Sequence, residues 1–437
     1  MLSVHRFNVN HALDTSLTPS YRRSPVTDPS ATPARHRSGE PGFRRAAVAL
    51  FAAGLATFAL LFSPQALLPL LSEQFAVTPA AAALVLAVTT AALGLSLVPA
   101  GWVADTYGRT RVMGWSLLLS ALLGLACAAA PSFELLLVLR ALQGIALAGL
   151  PAVAMAYLAE EIHGSSLGLS IGLYIGGNAI GGMLGRLLSG VFADVGGWRL
   201  ALAAVGGLAL LCALTSIKLL PASVHFHPRP FQPGRLVRGM RVHLTEPGLL
   251  RLDAVGALLM ATFAAVYNGL TFRLEEAPYG LSHAAVAAIF LVYPIGSFSS
   301  AWAGRLADRV GRRPVLPLAI ALAGIGLALT GAHSLPLIVL GVATLTAGFF
   351  AGHSVASSWV GRRGSSGAGS AAQASALYLF AYYFGSSAGG IAAGAAWSGG
   401  HWTAVMTVGG VLLTGALLLS LRLRRTPPLA APVPVAA

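Results

Sequence analysis

Long uncharged runs alternate with short polar interruptions along almost the whole chain. Eight runs have the length of one membrane crossing: 46–72, 74–104, 112–133, 141–159, 162–185, 200–217, 254–272 and 277–304. Two more are double length, 314–361 with a polar break at 331–336 and 364–421 with a break at 397–402. A helix crosses the hydrocarbon core in roughly 20 apolar residues. Inside lipid a segment has to satisfy its own backbone hydrogen bonds, so the runs are expected as helices. Twelve spans follow, and the fold class is an all-α membrane protein.

The interruptions repeat. Residues 101–111 read GWVADTYGRTR, and 304–313 read GRLADRVGRR, 203 residues later. Gly101, Asp105, Gly108 and Arg109 thus correspond to Gly304, Asp308, Gly311 and Arg312. The fifth and eleventh runs also correspond. Gly177, Gly181 and Gly182 match Gly385, Gly389 and Gly390, with Tyr174 and Tyr382 three residues before the first glycine of each set. Repetition at this scale means two copies of one plan. The expected organisation is two pseudo-symmetric six-helix bundles, 46–220 and 252–421. A disordered N-terminal tail (1–45), a basic linker (221–251, with His225, His227, Arg229, Arg235, Arg238 and Arg241) and a C-terminal tail (422–437) complete the chain.

Composition agrees with lipid as the solvent. The chain is 56% hydrophobic and 10% charged, against about 25% charged in soluble domains. Its net charge is +14, a value that would point to nucleic acid in a soluble protein. Here the charge is distributed by side. With the N-terminus inside, 24 of the 28 Lys and Arg fall on the tails, the two hinges, the linker and Arg362–Arg363. That is the positive-inside pattern. It places both termini in the cytoplasm of a bacterial inner membrane and makes lipid, not nucleic acid, the surrounding partner. The N-terminal tail lacks the apolar region of a cleaved signal peptide. Cys127 and Cys212 lie inside apolar runs and support neither a disulfide nor a metal site. The glycine-rich stretch 364–369 has no preceding strand and no following Lys, so it is no phosphate cradle. Neither an enzyme nor a cofactor is expected, and the chain is expected to be a monomer.

Intramembrane polar residues are the candidates for function. Gln65 lies between Pro64 and Pro69, where the first span must kink. Arg140, with Gln143 three residues on, lies near the middle of the fourth span. It either faces a cavity or bonds to carbonyls freed near Pro64. Arg186 is expected nearer the outer face, snorkelling or paired with Asp194. No acid lies mid-span, which leaves His353 and Asp253 as titratable candidates and leaves the arginines free to attract an anionic solute. Further cavity-wall candidates are Tyr174, Asn178, Tyr267, Asn268, Tyr293, Tyr378 and Tyr382. In the hinges, Gly101 and Gly304 are expected to close their spans, Gly108 and Gly311 to turn the chain, and Asp105 and Asp308 to accept helix amides. Arg109 is expected to pair with Glu160 or Glu161. The span-5 and span-11 glycines are expected to pack helices and to be where the halves slide.

These motifs carry a resemblance. The two hinges resemble the loop 2–3 and loop 8–9 motif of the major facilitator superfamily, the second copy more closely. Arg140-x-x-Gln143-Gly144 matches its fourth-span motif. Gly177–Gly182 is similar to its antiporter motif, with Asn178 where proline is usual. The resemblance covers 46 to about 421 and is nearest the drug:proton antiporters and arabinose-efflux permeases. It implies alternating access by rocking of two bundles around a midplane site, hinge residues that latch the cytoplasmic side, and a substrate- or proton-linked role for Arg140. Proton-coupled efflux of a small organic compound is the leading expectation. Uptake or exchange of small organic anions is the alternative. A membrane sensor or scaffold would need a soluble signalling domain, for which the tails are too short.

Overall fold

The computed structural model describes residues 35–226, 228, 233–365 and 371–426. The expected tails therefore lie outside the described residues over 1–34 and 427–437, as do His227 and Arg229 of the linker. The described chain is helical. The first half comprises α1 (Pro41–Phe62), α2 (Leu68–Gln74), α3 (Pro79–Tyr107), α4 (Arg109–Ala128), α5 (Phe133–Leu147), α6 (Gly149–Glu161) and α7 (Gly164–Leu219). The linker holds α8 (Pro233–Thr245). The second half comprises α9 (Pro247–Glu275), α10 (His283–Ala288), α11 (Tyr293–Val310), α12 (Arg312–Leu329), α13 (Leu335–Ser365) and α14 (Ala371–Leu423).

Among the described residues, ten stretches are long and apolar enough to cross a membrane. Two of them are double. α7 breaks at Gly196–Gly197 and α14 at Gly400–His401, so twelve crossings result, arranged as two six-span bundles. Helix starts follow local chemistry: the side chains of Thr78, Ser132 and Ser282 accept from the first free amides of α3, α5 and α10. Glu246 caps α9 through the amides of Gly248 (3.0 Å) and Leu249 (2.6 Å) and is gripped by Arg363 at 2.7 and 2.8 Å. Burial alone would raise its pKa; the guanidinium and the two amides outweigh that and hold it below the usual carboxylate value.

Several boundaries differ from expectation. α1 begins at Pro41, and residues 35–40 are ordered: His36 donates to the Glu161 carbonyl (2.9 Å), and its own carbonyl accepts from His163 (2.9 Å). The linker contains a helix, and α9 starts before Arg251. The hinges are tight. Only Gly108 separates α3 from α4, at φ 102°, and only Gly311 separates α11 from α12, at φ 90°. Glycine adopts such angles without strain. Gly101 and Gly304 do not end their helices, and a Cβ at either would meet nothing within 4 Å.

The span-5 and span-11 glycines pack within each half rather than between halves. Gly177, Gly181 and Gly185 lie against the backbone of Phe51, Leu55 and Ala59 in α1. Gly385 and Gly389 lie against Ala257 and Ala261 in α9. The halves meet through other glycines: Gly94 against Tyr383, Gly190 against Ala287 and the His283 carbonyl, Gly394 against Pro79 and Ala80. Thr90 and Ser387 add a hydroxyl pair at 2.7 Å, and Asp194 accepts from the amides of His283 (3.1 Å) and Ala284 (3.0 Å). These contacts lie away from the hinges. Toward the hinges, Leu95, Tyr107, Phe298 and Trp302 are exposed, and Gly164, Gly168, Gly172 and Gly176 have open space beside them. The contacts named between the halves thus gather at the end away from the hinges.

Gly181→Leu or Gly389→Leu is expected to force α1 from α7, or α9 from α14, and to destabilise the protein by about 1–3 kcal/mol or more. Gly101→Leu, in open space, is expected to leave stability nearly unchanged. Thermal unfolding in detergent measures both.

Candidate functional site

The site is built around an interruption in the first span. Pro64 has no N–H to give the Leu60 carbonyl, and residues Ser63–Leu67 wind as a 3-10 turn. Carbonyls left over inside the bilayer need donors. Arg140 supplies them. Its guanidinium, 1% exposed, donates to Leu60 O (3.1 Å), Leu61 O (3.0 Å) and Val85 O (3.0 Å), and to Gln143 Oε1 at 2.5 Å. Gln143 in turn donates to Ser120 O (2.9 Å). The two residues expected at a cavity wall thus lie inside the first bundle, bonded mostly to its backbone. The alternative of an arginine held by carbonyls near Pro64 describes their geometry.

Arg186 occupies the place between the halves. It neither snorkels nor pairs with Asp194, whose carboxylate is on α10. The Arg186 guanidinium is 1% exposed and lies over the rings of Phe62 (4.3 Å), Phe290 (4.7 Å) and Tyr293 (4.7 Å). It donates to Gln65 Oε1 (2.7 Å) and Gly182 O (2.7 Å). Gln65 passes the connection on, donating to Asn268 Oδ1 in α9 at 2.7 Å. The Asn268 amide nitrogen is buried without a partner, and so is Asn178 Oδ1. Among the described residues no acid pairs with Arg140 or Arg186.

Aromatic rings continue from Arg186 toward the open end. Tyr267 stacks on Phe290 (5.1 Å) and bonds to Thr346 (2.7 Å); Phe263 stacks on Phe349 (4.0 Å). Half-buried His353 lies 4.7 Å from the Tyr382 ring, and its Nδ1 is 3.0 Å from the Tyr378 hydroxyl. Tyr174 is buried beside Asn178 in the first half. Gln65, Asn268, Tyr267, Tyr293, Tyr378, Tyr382 and His353 therefore form one connected region, which Arg140 and Gln143 do not join. Phe62, Phe263, Phe290, Phe349 and Phe350 belong to the same region; in an apolar sequence nothing marks them apart from packing phenylalanines.

The hinges form ion pairs. Arg109 bonds to Asp105 at 2.5 Å and to Glu160 at 3.0 and 3.3 Å. Asp105 bonds to this guanidinium rather than to a helix amide, because it stands at the C-terminal end of α3. Glu161 takes the linker instead, accepting from Ser223, the His225 amide and His225 Nδ1. In the second hinge Arg312 bonds to Asp308 (3.2 Å) and to Ser358 (3.2 Å), a hydroxyl in the place of Glu160. Asp253 bonds to His243 of α8 at 2.6 Å.

Residues 46–297 match the model of the Major Facilitator Superfamily. The chain belongs to that superfamily. It is 44% identical over 327 residues to an uncharacterized transporter of this type, YybF of Bacillus subtilis, covering 75% of this chain and 81% of the relative. It is 45% identical over 335 residues to the inner membrane transport protein YnfM of Escherichia coli, covering 77% and 80%. A solved bacterial homolog of the human lysosomal transporter Spinster, inward-facing and occupied, superposes with a TM-score of 0.72 at 17% identity, over 90% of this chain and all of that one. The transporter is thus an integral membrane protein that performs secondary transport and is not an enzyme.

Arg140→Leu is expected to take the guanidinium donors from the Leu60, Leu61 and Val85 carbonyls, of which Leu60 and Val85 keep the Ser63 and Thr89 hydroxyls, and to cost about 3 kcal/mol of stability, read as a fall in the unfolding temperature with no ligand present.

Proposed function

We propose that the transporter moves a small organic compound across the bacterial inner membrane by alternating access, with the hinges and both termini in the cytoplasm and protons as the coupling ion, most simply as efflux. The observation that carries this reading is that the contacts between the halves gather at the end away from the hinges. The positive-inside distribution puts the hinges in the cytoplasm, and the conformation is then the inward-open one. Rocking would break the Thr90–Ser387, Gln65–Asn268 and Asp194–α10 contacts and bring the hinge ends together, where Asp105, Arg109, Glu160, Asp308 and Arg312 would latch. His353 beside Tyr378, and Asp253 beside His243, are the titratable groups assigned to the proton. The likeness of Gly177–Gly182 to the antiporter motif supports efflux. One observation favours the second reading, transport of small organic anions: Arg140 and Arg186, each 1% exposed, have no acid partner among the described residues.

In proteoliposomes with a pH-sensitive dye inside, a transported organic compound is expected to drive proton movement. A protein that moves carboxylates and no amine, without proton flux, would overturn the proton-coupled efflux reading in favour of the second. Asp105→Asn is expected to slow transport more than Asp308→Asn, by about tenfold. Arg109 is 9% exposed between two acids, whereas Asp308 is 63% exposed and contributes little in solvent. Initial transport rates at equal protein content decide this.

A further inference from the structure

We propose that Arg186 is the substrate-recognition group of this transporter, and that it takes the anionic head of an organic anion with an aromatic body when the end away from the hinges opens. The proposal rests on the transporter reading and holds for either direction of transport.

The two buried guanidiniums differ in who holds them. Arg140 is held by carbonyls and a glutamine of its own half, and rocking leaves those bonds intact. Arg186 is held from both sides. Phe62, Gln65 and Gly182 belong to its own half; Phe290 and Tyr293 belong to the other. Separation of the halves at this end removes two of its three rings, and the same movement takes Asn268 from Gln65. A guanidinium is then left facing a newly opened cavity with no carboxylate to balance it. In a low-dielectric cavity such a charge is costly, and an arriving anion offsets that cost with charge-assisted, potentially bidentate hydrogen bonds. The buried, unpartnered Asn268 amide is a second donor across the gap.

The body of the ligand follows from what the anion replaces. Phe290 and Tyr293 move away with the second half, and their rings become the wall that faces the guanidinium across the gap. Tyr267 stacks behind Phe290, and Phe263 and Phe350 pack on Tyr293 at 5.9 and 5.8 Å. A planar apolar body can take up the same stacking contacts. When the end reseals, Phe290 and Tyr293 return to the guanidinium and compete the anion away. Arg186 therefore exchanges its partners once per cycle, an anion in one state and π faces in the other.

Gly190 offers a way to hold the site open. It lies one turn beyond Arg186, and a Cβ there would collide with Ala287 and the His283 carbonyl across the interface. Gly190→Leu in nanodiscs is expected to bind benzoate and phenylphosphonate at least tenfold more tightly than the wild type, by thermal shift and calorimetry, while benzamide and benzylamine have no effect. Adding Arg186→Gln is expected to abolish anion binding, and Arg186→Lys to retain part of it. Benzamide binding as tightly as benzoate, anion binding that survives Arg186→Gln, or silence of every anion would each overturn the proposal. A parallel measurement avoids the wedge: benzoate flux into wild-type proteoliposomes is expected, and a loss of tenfold or more in Arg186→Gln. Amine flux with no benzoate flux would sink the anion class and leave the transporter reading standing, whereas a folded protein that moves neither would sink the transporter reading itself. A purely structural pin predicts that Arg186→Gln lowers stability without changing the preference for benzoate over benzamide.

Discussion

Inside hydrocarbon a polar group without a partner has no water to fall back on, and the interruption of the first span at Pro64 is where this transporter meets that constraint. The proline withholds an N–H, the chain winds as a 3-10 turn, and carbonyls of Leu60 and Leu61 are left in the bilayer. Arg140 reaches them from α5 and ties α1, α3 and α5 together. The same turn carries Gln65, which faces the other way, toward Arg186 and across to Asn268. One local break therefore organises two networks. The first is internal to a bundle and rigid. The second spans the interface and is broken and remade if the bundles rock.

The two halves repeat a plan but fill it differently. Glycines bring α7 onto α1 and α14 onto α9 with backbone against backbone, giving each half a stiff centre. Gly182 and Gly390 then stand in matching places beside unlike groups, Arg186 in one half and Asn268 in the other. The first half contributes the two most deeply buried guanidiniums, Arg140 and Arg186, and the second contributes most of the rings around the site. The hinges diverge likewise. Arg109 has two acids, whereas Arg312 has one acid and a serine hydroxyl, so the two copies of one motif differ in how firmly they are held. A pseudo-symmetric scaffold with asymmetric contents lets a rigid-body motion carry different partners past the same point.

Much of the architecture was legible in the order of residues. Span number, the break of the last double-length run near 400, the repeat and the turning role of Gly108 and Gly311 follow from hydrophobic length and from glycine spacing, and both act locally along the chain. Sequence also marked the polar positions inside the membrane, because lipid makes each one rare. What it could not assign was their partners. Arg140 was expected near midspan and Arg186 nearer the outer face, and the order of residues showed the partners of neither. Only the packing of α5 on α1 and α3 turns the first toward backbone carbonyls, and only the meeting of α7 with α10 and α11 places the second among rings.

The glycines teach the same distinction. Their spacing specifies a surface of close approach, yet which helix approaches is a long-range fact, and they proved to bind α7 to α1 and α14 to α9 rather than to form the sliding surface. By itself the sequence determined that the chain spans the membrane twelve times in two related bundles, since that depends on hydrophobicity and backbone satisfaction within each segment. The tertiary structure alone decided which buried charge is structural and which lies between the halves, since a hydrogen-bond partner of Arg186, Gln65, is 121 positions away and partners are chosen by packing.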